Sequence, residues 1–257
     1  MKPKPIGLLP PDIRRARMEA KRRAVLRWLR DETWSTPEVL GKVMGVNARQ
    51  GVYQTLTHLE RDGYLISADV PIFKKATQRI VGISAHGLAH AFDLGEAFEV
   101  RPTFEPSKVK ISTLQHEVDI QMLRFQAECA GWMNWIPGAR LGVSRGGEKR
   151  PDAVARDPQQ NVVALEVERS IKTGKRYEVL LSQYLQAIAK GRYARVIWLS
   201  PTLDLSLRLK RIIFSILAVP VGGKRIALEP RHYQLLDFLD YSQWPNGLKE
   251  STDGLAI

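Results

Sequence analysis

The sequence has very little cysteine and no long apolar run. Cys129 is the single cysteine among 257 residues, so no intrachain disulfide can form and the composition favours a reducing compartment. Cys129 lies in the apolar pattern MLRFQAECAGW, which predicts a buried structural thiol. No stretch approaches about 18 uncharged apolar residues, and the N-terminus lacks the apolar core and cleavage site of a secretory signal. We therefore expect a cytoplasmic protein that does not insert into membranes.

Acidic residues are the minority among the charges. The chain has 39 Lys and Arg against 27 Asp and Glu, a net charge of +12 with neutral histidines. This excess predicts a polyanionic partner, with nucleic acid as the first candidate and an anionic membrane surface as the second. The pattern changes near residue 95, which favours two domains. The predicted division is a flexible basic arm at 1–11, a DNA-binding domain at 12–95, a linker at 96–112, a second domain at 113–245 and a disordered tail at 246–257.

The first predicted helix is strongly basic. Between residue 12 and about residue 32, one stripe is apolar and the remainder is crowded with arginine and lysine, including Arg14 and Arg15. This surface predicts contact with DNA phosphates. A merely solvated charged face is the alternative.

Two further helices follow, and the second has a polar face suited to reading DNA. The run Ser35-Thr36-Pro37-Glu38 provides a hydroxyl cap and a proline in the first turn, which predicts a helix start. Val52, Leu56 and Leu59 then repeat at helical spacing before Gly63. The opposite face carries side chains that can donate to phosphates and reach base edges: Gln50, Tyr53, Gln54, Thr57 and Arg61.

A β-hairpin with a basic tip is predicted next. LISADVPIF and RIVGIS are typical of strands, and the connection between them contains Lys74, Lys75 and Arg79. With the passage HLERDGYLI, this order of elements resembles the winged-helix family over about residues 12–93. The resemblance implies binding of double-stranded DNA through the polar helix face and the hairpin tip. A protein-docking module is the alternative.

The second half of the chain alternates helices and short strands. A helix beginning at Ser112 or Thr113 is followed by three predicted strands, ARLGVSR, DAVARD and NVVALEVERS. GKRYEVLLSQYLQAIAKG then predicts an amphipathic helix, ARVIWLSP a buried strand and LDLSLRLKRIIFSIL another helix. The resulting order, α-β-β-β-α-β-α, predicts an α/β fold of the α+β kind.

Acidic side chains converge on the predicted strands of this half. Alternation along the third strand puts Glu166 and Glu168 on one face, about 6 to 7 Å apart. A hairpin through residues 157–161 would bring Asp152 beside that strand. Three such acids repel one another unless neutralised, and oxygen ligands suit Mg²⁺ or Mn²⁺. Solvent-facing acids on an edge strand are the alternative.

These residues resemble the PD-(D/E)xK nuclease superfamily, on the motifs RPDAVARD and LEVER and on the αβββαβ order. The resemblance implies that Asp152 and Glu166 bind a metal ion that activates water for attack on a phosphodiester. The family pattern expects lysine where this chain has Glu168, so a lysine before the next helix is expected to supply the charge. Lys172 and Lys175 are the candidates, with Lys175 favoured. Glu117, like Glu168, is a candidate additional metal ligand.

The combined pattern, with HxxxI, RPDA, LEVER and SQY, resembles the replication-relaxation family and the MobC-type relaxases of mobilisable plasmids. The resemblance implies metal-dependent nicking of one strand at a plasmid transfer origin. The usual relaxase chemistry uses paired histidines and a tyrosine nucleophile, but this chain has no His-x-His pair, so a carboxylate-metal route remains. A covalent DNA adduct on Tyr177 or Tyr184 stays open, and hydrolysis is the simpler hypothesis.

Two other functions fit the same sequence features. One is a non-enzymatic DNA-binding regulator or a replication or relaxosome accessory protein with a degenerate nuclease fold. The other is a restriction-like or repair endonuclease that cuts both strands. The expected partners are double-stranded DNA of a plasmid origin region, with a relaxosome or coupling protein and a second copy of the chain as candidate protein partners.

Overall fold

The computed structural model describes residues 10–72, 76–142 and 149–248. The chain divides into two compact units, Met1–Gln121 and Met122–Ile257. Within the described residues, helices accompany both antiparallel and parallel strand pairs, which confirms a mixed α/β fold of the α+β kind. None of the helices in these ranges is long and apolar enough to cross a membrane.

The N-terminal unit packs helices against a three-stranded antiparallel sheet. The sheet has the strand order β1-β3-β2. The elements are α1 (Pro11–Glu32), β1 (Trp34–Ser35), α2 (Pro37–Val43), α3 (Arg49–Arg61), β2 (Leu65–Pro71), β3 (Thr77–Ile83), α4 (Ala85–Ala89), a 3-10 turn (Pro106–Lys108) and the first part of α5 (Ile111–Cys129).

The predicted start of α2 and the predicted inner face of α3 are confirmed. The Thr36 hydroxyl accepts a hydrogen bond from the backbone N–H of Val39 and caps α2. Val52, Leu56 and Leu59 of α3 are buried, as their helical spacing predicts. The helical repeat therefore fixes which face of α3 remains for solvent.

The segment 96–112, interpreted as a linker from sequence, contributes to the core of the N-terminal unit. Phe104 is buried with Trp34, Val70 and Ile80, and its backbone N–H donates to the carbonyl of Ile83. The division between the two units falls within α5, between Gln121 and Met122, and not in this segment. A single aromatic residue between polar ones gave no signal of that packing.

The C-terminal unit contains a five-stranded mixed sheet with the order β10-β7-β6-β5-β4. β10, β7 and β6 run parallel, whereas β5 and β4 are antiparallel to their neighbours. Besides the end of α5, the elements are β4 (Met133–Pro137), a 3-10 turn (Gly138–Arg140), β5 (Ala153–Arg156), β6 (Val162–Val167), α6 (Gly174–Ala189), β7 (Arg195–Ser200), α7 (Leu203–Phe214), β8 (Ala218–Val221), β9 (Lys224–Ala227), α8 (Pro230–Tyr233) and β10 (Leu236–Asp240).

Several local predictions for this unit are wrong. The strand before β5 is Met133–Pro137 rather than the predicted ARLGVSR. A 3-10 turn occupies Gly138–Arg140 at the start of that segment, and residues 143–148 lie outside the described residues. β8, β9 and β10 add strands beyond the predicted order. Cys129 is exposed, because Ala127 takes the buried position at the end of α5 and two residues of helix turn Cys129 to the opposite side.

One face of the sheet is covered by α6 and α7. Tyr177 and Tyr184 of α6 and Leu209 of α7 pack with Trp198 of β7 in one buried cluster. The Trp198 ring meets both tyrosine rings edge-on, with centroid distances of 6.0 Å and 6.2 Å. This packing fixes the two tyrosines over the strand that carries the acidic residues.

Candidate active site

Asp152 and Glu166 lie side by side on two paired strands. β5 and β6 are antiparallel with Ala153 opposite Leu165, and the backbone N–H of Asp152 donates to the Leu165 carbonyl at 3.0 Å. Oδ2 of Asp152 accepts a hydrogen bond from the backbone N–H of Val167 at 2.8 Å. The predicted approach of Asp152 to the Glu166 strand is thus confirmed by backbone hydrogen bonds.

A close backbone approach holds the start of β5 in place. The N–H of Gly138 donates to the Asp152 carbonyl at 2.7 Å. A Cβ atom at position 138 would lie only 2.2 Å from the carbonyl oxygen of Pro151, so only glycine fits there. The position of Asp152 therefore depends on the 3-10 turn after β4 as well as on β6.

Glu166 is buried and contacts one cation and one hydroxyl. Its carboxylate forms an ion pair with Lys149, with Nζ 2.8 Å from Oε1, and accepts a hydrogen bond from the Tyr184 hydroxyl. Glu166 is only 3% exposed. One partner precedes Glu166 in the chain and the other follows it, because Lys149 lies before β5 and Tyr184 lies on α6.

The surroundings of Glu166 raise its pKa from 4.5 to about 7. Burial is the main cause, and the negative charge of Asp152 adds to it. Lys149 and Tyr184 act in the opposite direction and stabilise the ionised form. The two carboxylates therefore make a locally electronegative site in which a positive charge is stabilising.

Glu168 has a similar set of partners two residues further along. Its carboxylate forms an ion pair with Lys172 at 2.8 Å and accepts a hydrogen bond from the Tyr177 hydroxyl. The Tyr177 hydroxyl also accepts a hydrogen bond from the backbone N–H of Lys172 at 2.9 Å. Both glutamates therefore face α6, which confirms the predicted alternation along β6.

The hydroxyls of the two tyrosines are engaged and buried. Burial, together with the neighbouring glutamate, raises the pKa of Tyr177 to about 12 and that of Tyr184 well above its ordinary value. Neither ring is accessible, with 0% and 1% of the residue exposed. Both side chains position carboxylates, a role that the helical spacing of seven residues could have suggested once the strand register was known.

The remaining predicted residues of this site have different surroundings. Lys175 is exposed and forms no ion pair within the ranges 10–72, 76–142 and 149–248. Glu117 belongs to the N-terminal unit, where its carboxylate accepts a 2.6 Å hydrogen bond from the Thr113 hydroxyl. Lys172 is the predicted lysine that contacts an acidic residue, Glu168, directly after β6.

Lys149 is the residue that sequence reasoning missed. It directly follows residues 143–148, which lie outside the described residues, and it precedes β5 without belonging to a helix or strand. Its position two residues before Pro151-Asp152 is the only sequence signal that could have indicated it.

The carboxylates of Asp152 and Glu166 suit a hard divalent cation when both bind it. Mg²⁺ commonly keeps several waters and is bound through one or two carboxylates, which Asp152 and Glu166 can provide. No group of three or more His, Cys, Asp or Glu side chains that could hold a metal ion occurs among the described residues. Asp152 and Glu166 therefore fit two of the oxygen ligands of such an ion.

The exposed face of α3 is a second candidate site, in the N-terminal unit. Gln50, Gln54 and Thr57 are exposed, Tyr53 is half-buried and Arg61 is exposed beside Asp62. The Tyr53 ring is approached by the guanidinium of Arg49 at 5.5 Å from its centroid. This face combines hydrogen-bonding side chains with positive charge, as the sequence predicts.

The predicted basic residues around this face have different surroundings. Both carboxylate oxygens of Glu60 accept hydrogen bonds from Arg79 at 2.9 Å, and Arg79 also donates to Ser67, so it braces α3 against β2. Arg14 and Arg15 are exposed on α1. Lys74 and Lys75 lie outside the described residues.

Comparisons of the chain with protein-family models, with curated proteins and with solved structures found no match.

Proposed function

We propose that this protein is a metal-dependent DNA endonuclease whose cleavage site is built around Asp152 and Glu166. The observation that carries the proposal is the pairing of these two carboxylates on adjacent strands, with the pKa of Glu166 raised to about 7 by burial and by Asp152. Strongly perturbed acids beside a specific charge partner are typical of functional sites. The order of helices and strands around them supports a PD-(D/E)xK-like fold for this unit.

The side chains of the site have separable roles in this proposal. Mg²⁺ or Mn²⁺ bound by Asp152 and Glu166 would supply Lewis-acid activation of water and of the scissile phosphate. Tyr184 orients the Glu166 carboxylate by donating a hydrogen bond to it. Lys149 places an ammonium beside the same carboxylate, where it can also stabilise negative charge on a phosphate.

Glu168 and Lys172 explain how the site functions without lysine at position 168. The ammonium of Lys172 lies 2.8 Å from the Glu168 carboxylate, so positive charge is still provided next to that position. Tyr177 anchors both residues through its hydroxyl. Lys172 thereby becomes the second cation available to a bound phosphodiester.

DNA recognition is assigned to the N-terminal unit. Helices α2 and α3, followed by the β2–β3 hairpin, support a winged-helix interpretation of that unit. The exposed side chains of α3 would contact base edges, and Arg14 and Arg15 would contact phosphates. The net charge of +12 favours duplex DNA over an uncharged ligand.

The finer proposal is a relaxase that nicks one strand at a plasmid transfer origin, and it rests on the sequence resemblance alone. The tyrosine environment adds one constraint to it. Because Tyr177 and Tyr184 are buried and donate to glutamates, hydrolysis by water is favoured over a covalent DNA adduct on either. A relaxosome or coupling protein would be the protein partner of such an enzyme.

A second candidate function is a non-enzymatic DNA-binding factor. It is favoured by the ion pairs of Glu166 with Lys149 and of Glu168 with Lys172, which satisfy both acids without any metal ion. In that case the C-terminal unit would be an assembly module.

Incubation of the full chain with supercoiled DNA carrying the origin of its own replicon, with and without Mg²⁺ or Mn²⁺, tests the proposal. Wild-type protein should produce open circles only with the metal ion. Asp152→Asn and Glu166→Gln should each slow cleavage by at least about 100-fold while DNA affinity is retained. Lys149→Met should also slow cleavage.

Lys175→Met is the matched control, because Lys175 is exposed and forms no ion pair in the described part of the chain. It should cleave as the wild type does. Linear products would instead indicate a double-strand endonuclease. Tight DNA binding with no cleavage under any metal condition would reject the enzyme in favour of the DNA-binding factor.

A further inference from the structure

A rigid platform beside the end of α3 carries two exposed histidines. Ser84 caps α4, because its hydroxyl accepts from the Gly87 N–H at 2.9 Å and donates to the Gly63 carbonyl at 2.6 Å. A Cβ atom at position 87 would lie 2.1 Å from the Tyr64 carbonyl oxygen, so α4 rests directly on the backbone at Tyr64. The short helix is therefore fixed against the turn that follows α3.

His86 and His90 project from this platform four residues apart. Both are exposed, and their ring centroids are 4.7 Å apart with an angle of 69° between the rings. The Tyr64 ring stacks on His86 at 4.8 Å and meets His90 edge-on at 5.3 Å. Tyr64 thus holds both imidazoles on one side of the platform.

The spacing of the two rings fits coordination of one metal ion. Imidazole nitrogens bind Zn²⁺ at about 2.0–2.1 Å, which separates two ring centroids by about 4.5–5.2 Å for ligand angles between about 90° and 110°. The observed 4.7 Å lies inside that range. The distance between the rings is therefore compatible with one ion bound by both.

The positive charge beside Tyr64 has an acidic partner of its own. Arg22 donates to the Tyr64 hydroxyl at 2.9 Å, but the same guanidinium is paired with Glu19 at 2.7 Å. The positive charge next to the platform is therefore offset within α1.

We propose that His86 and His90 form a site for a borderline divalent transition-metal ion such as Zn²⁺. Imidazole prefers such ions, whereas the carboxylates of Asp152 and Glu166 prefer hard ions such as Mg²⁺. No third His, Cys, Asp or Glu completes a group with these histidines in the described part of the chain, so the site leaves coordination positions for water or an external ligand. The proposal is independent of DNA cleavage by the other unit.

Calorimetric titration of the metal-free full chain with Zn²⁺, in excess Mg²⁺ to occupy oxygen-ligand sites, tests this. Wild-type protein should bind one Zn²⁺ ion at this site. His86→Ala and His90→Ala, both exposed positions, should each weaken that binding by at least about tenfold. His58→Ala, which removes an exposed histidine of α3 outside the ring cluster of Tyr64, His86 and His90, should leave it unchanged.

Tyr64→Phe and Tyr64→Ala test the platform itself. Phenylalanine keeps the ring that stacks on His86 and should bind Zn²⁺ as the wild type does, whereas alanine should weaken binding by about tenfold. Asp152→Asn should keep the Zn²⁺ site, which separates this result from any failure of the nuclease proposal. Zn²⁺ binding that is unchanged in both histidine variants, or absent in the wild type, overturns the inference.

Discussion

Glu166 is the residue at which stability and the proposed function conflict. It is buried next to a second acid, Asp152, and its pKa is raised to about 7. An acid in such surroundings destabilises the folded state whenever it is ionised. Retention of this arrangement is expected where the charge is used, as it would be in binding a cation.

The raised pKa of Glu166 predicts a specific pH dependence of stability in the presence of a chelator. The protonated side chain contributes stability that is fully present below about pH 4.5 and is lost as the pH rises through about 7. Glu166→Gln keeps a neutral side chain at every pH. Between pH 4.5 and pH 8, the free energy of unfolding of the variant should therefore rise by about 3 kcal/mol relative to that of the wild type.

Urea unfolding of both proteins across this pH range measures that gain. Stability curves that stay parallel from pH 4.5 to pH 8 would show that the Glu166 pKa is not raised in the folded protein. A variant that gains stability while losing cleavage would identify Glu166 as a functional rather than a structural residue.

The sequence could predict Asp152, Glu166 and Glu168 but not Lys149. Period-two alternation and a short hairpin fix where the three acids lie, and both are local features of the sequence. Lys149 reaches Glu166 from residues with no regular structure, so its contact depends on the tertiary fold. The sequence favoured Lys175 over Lys172 as the nearby cation, whereas the structure pairs Lys172 with Glu168.

At the scale of elements, the start of β5 depends on the turn that precedes it. Gly138 allows the 3-10 turn to approach Pro151 and Asp152 more closely than any side chain would permit. The acidic pair is therefore positioned by three segments: β5, β6 and the turn after β4. This predicts that a change far from the carboxylates of Asp152 and Glu166 can disrupt the proposed site.

Gly138→Ala should lower the free energy of unfolding by at least about 1–3 kcal/mol, because the new Cβ overlaps the Pro151 carbonyl. Cleavage should fall as well, since Asp152 must shift. Gly174→Ala is the matched control in the same unit, because nothing lies within 4 Å of its Cβ position. Denaturant unfolding that gives equal stability for the two variants would contradict the close approach.

Some of the described strands were predictable from the sequence and others were not. β2, β3, β5, β6 and β7 follow their predicted segments, and so do α3, α6 and α7. β4 was misplaced because MNWIP mixes exposed and buried residues without a period. The β8–β9 hairpin had one usable signal, the pair Gly222-Gly223, both with positive φ as a two-residue hairpin turn requires.

At the scale of the whole molecule, the net charge constrains where a metal ion can bind. A chain with a charge of +12 repels cations in general, so attraction must come from a local concentration of acids. The pair Asp152 and Glu166 is such a place, since burial and the neighbouring charge of Asp152 together raise the Glu166 pKa. The same excess charge favours DNA, and with it phosphate oxygens that can complete the coordination of a bound ion.

Whether Asp152 and Glu166 bind a divalent cation together is measured most directly by titrating the full chain with Mn²⁺ and following free Mn²⁺ by electron paramagnetic resonance. The wild type should bind one Mn²⁺ ion at this pair. Asp152→Asn and Glu166→Gln should each weaken the Mn²⁺ affinity by at least about tenfold, and His86→Ala should leave it unchanged. Equal Mn²⁺ binding in the wild type and both carboxylate variants would contradict the assignment of this pair as the metal site.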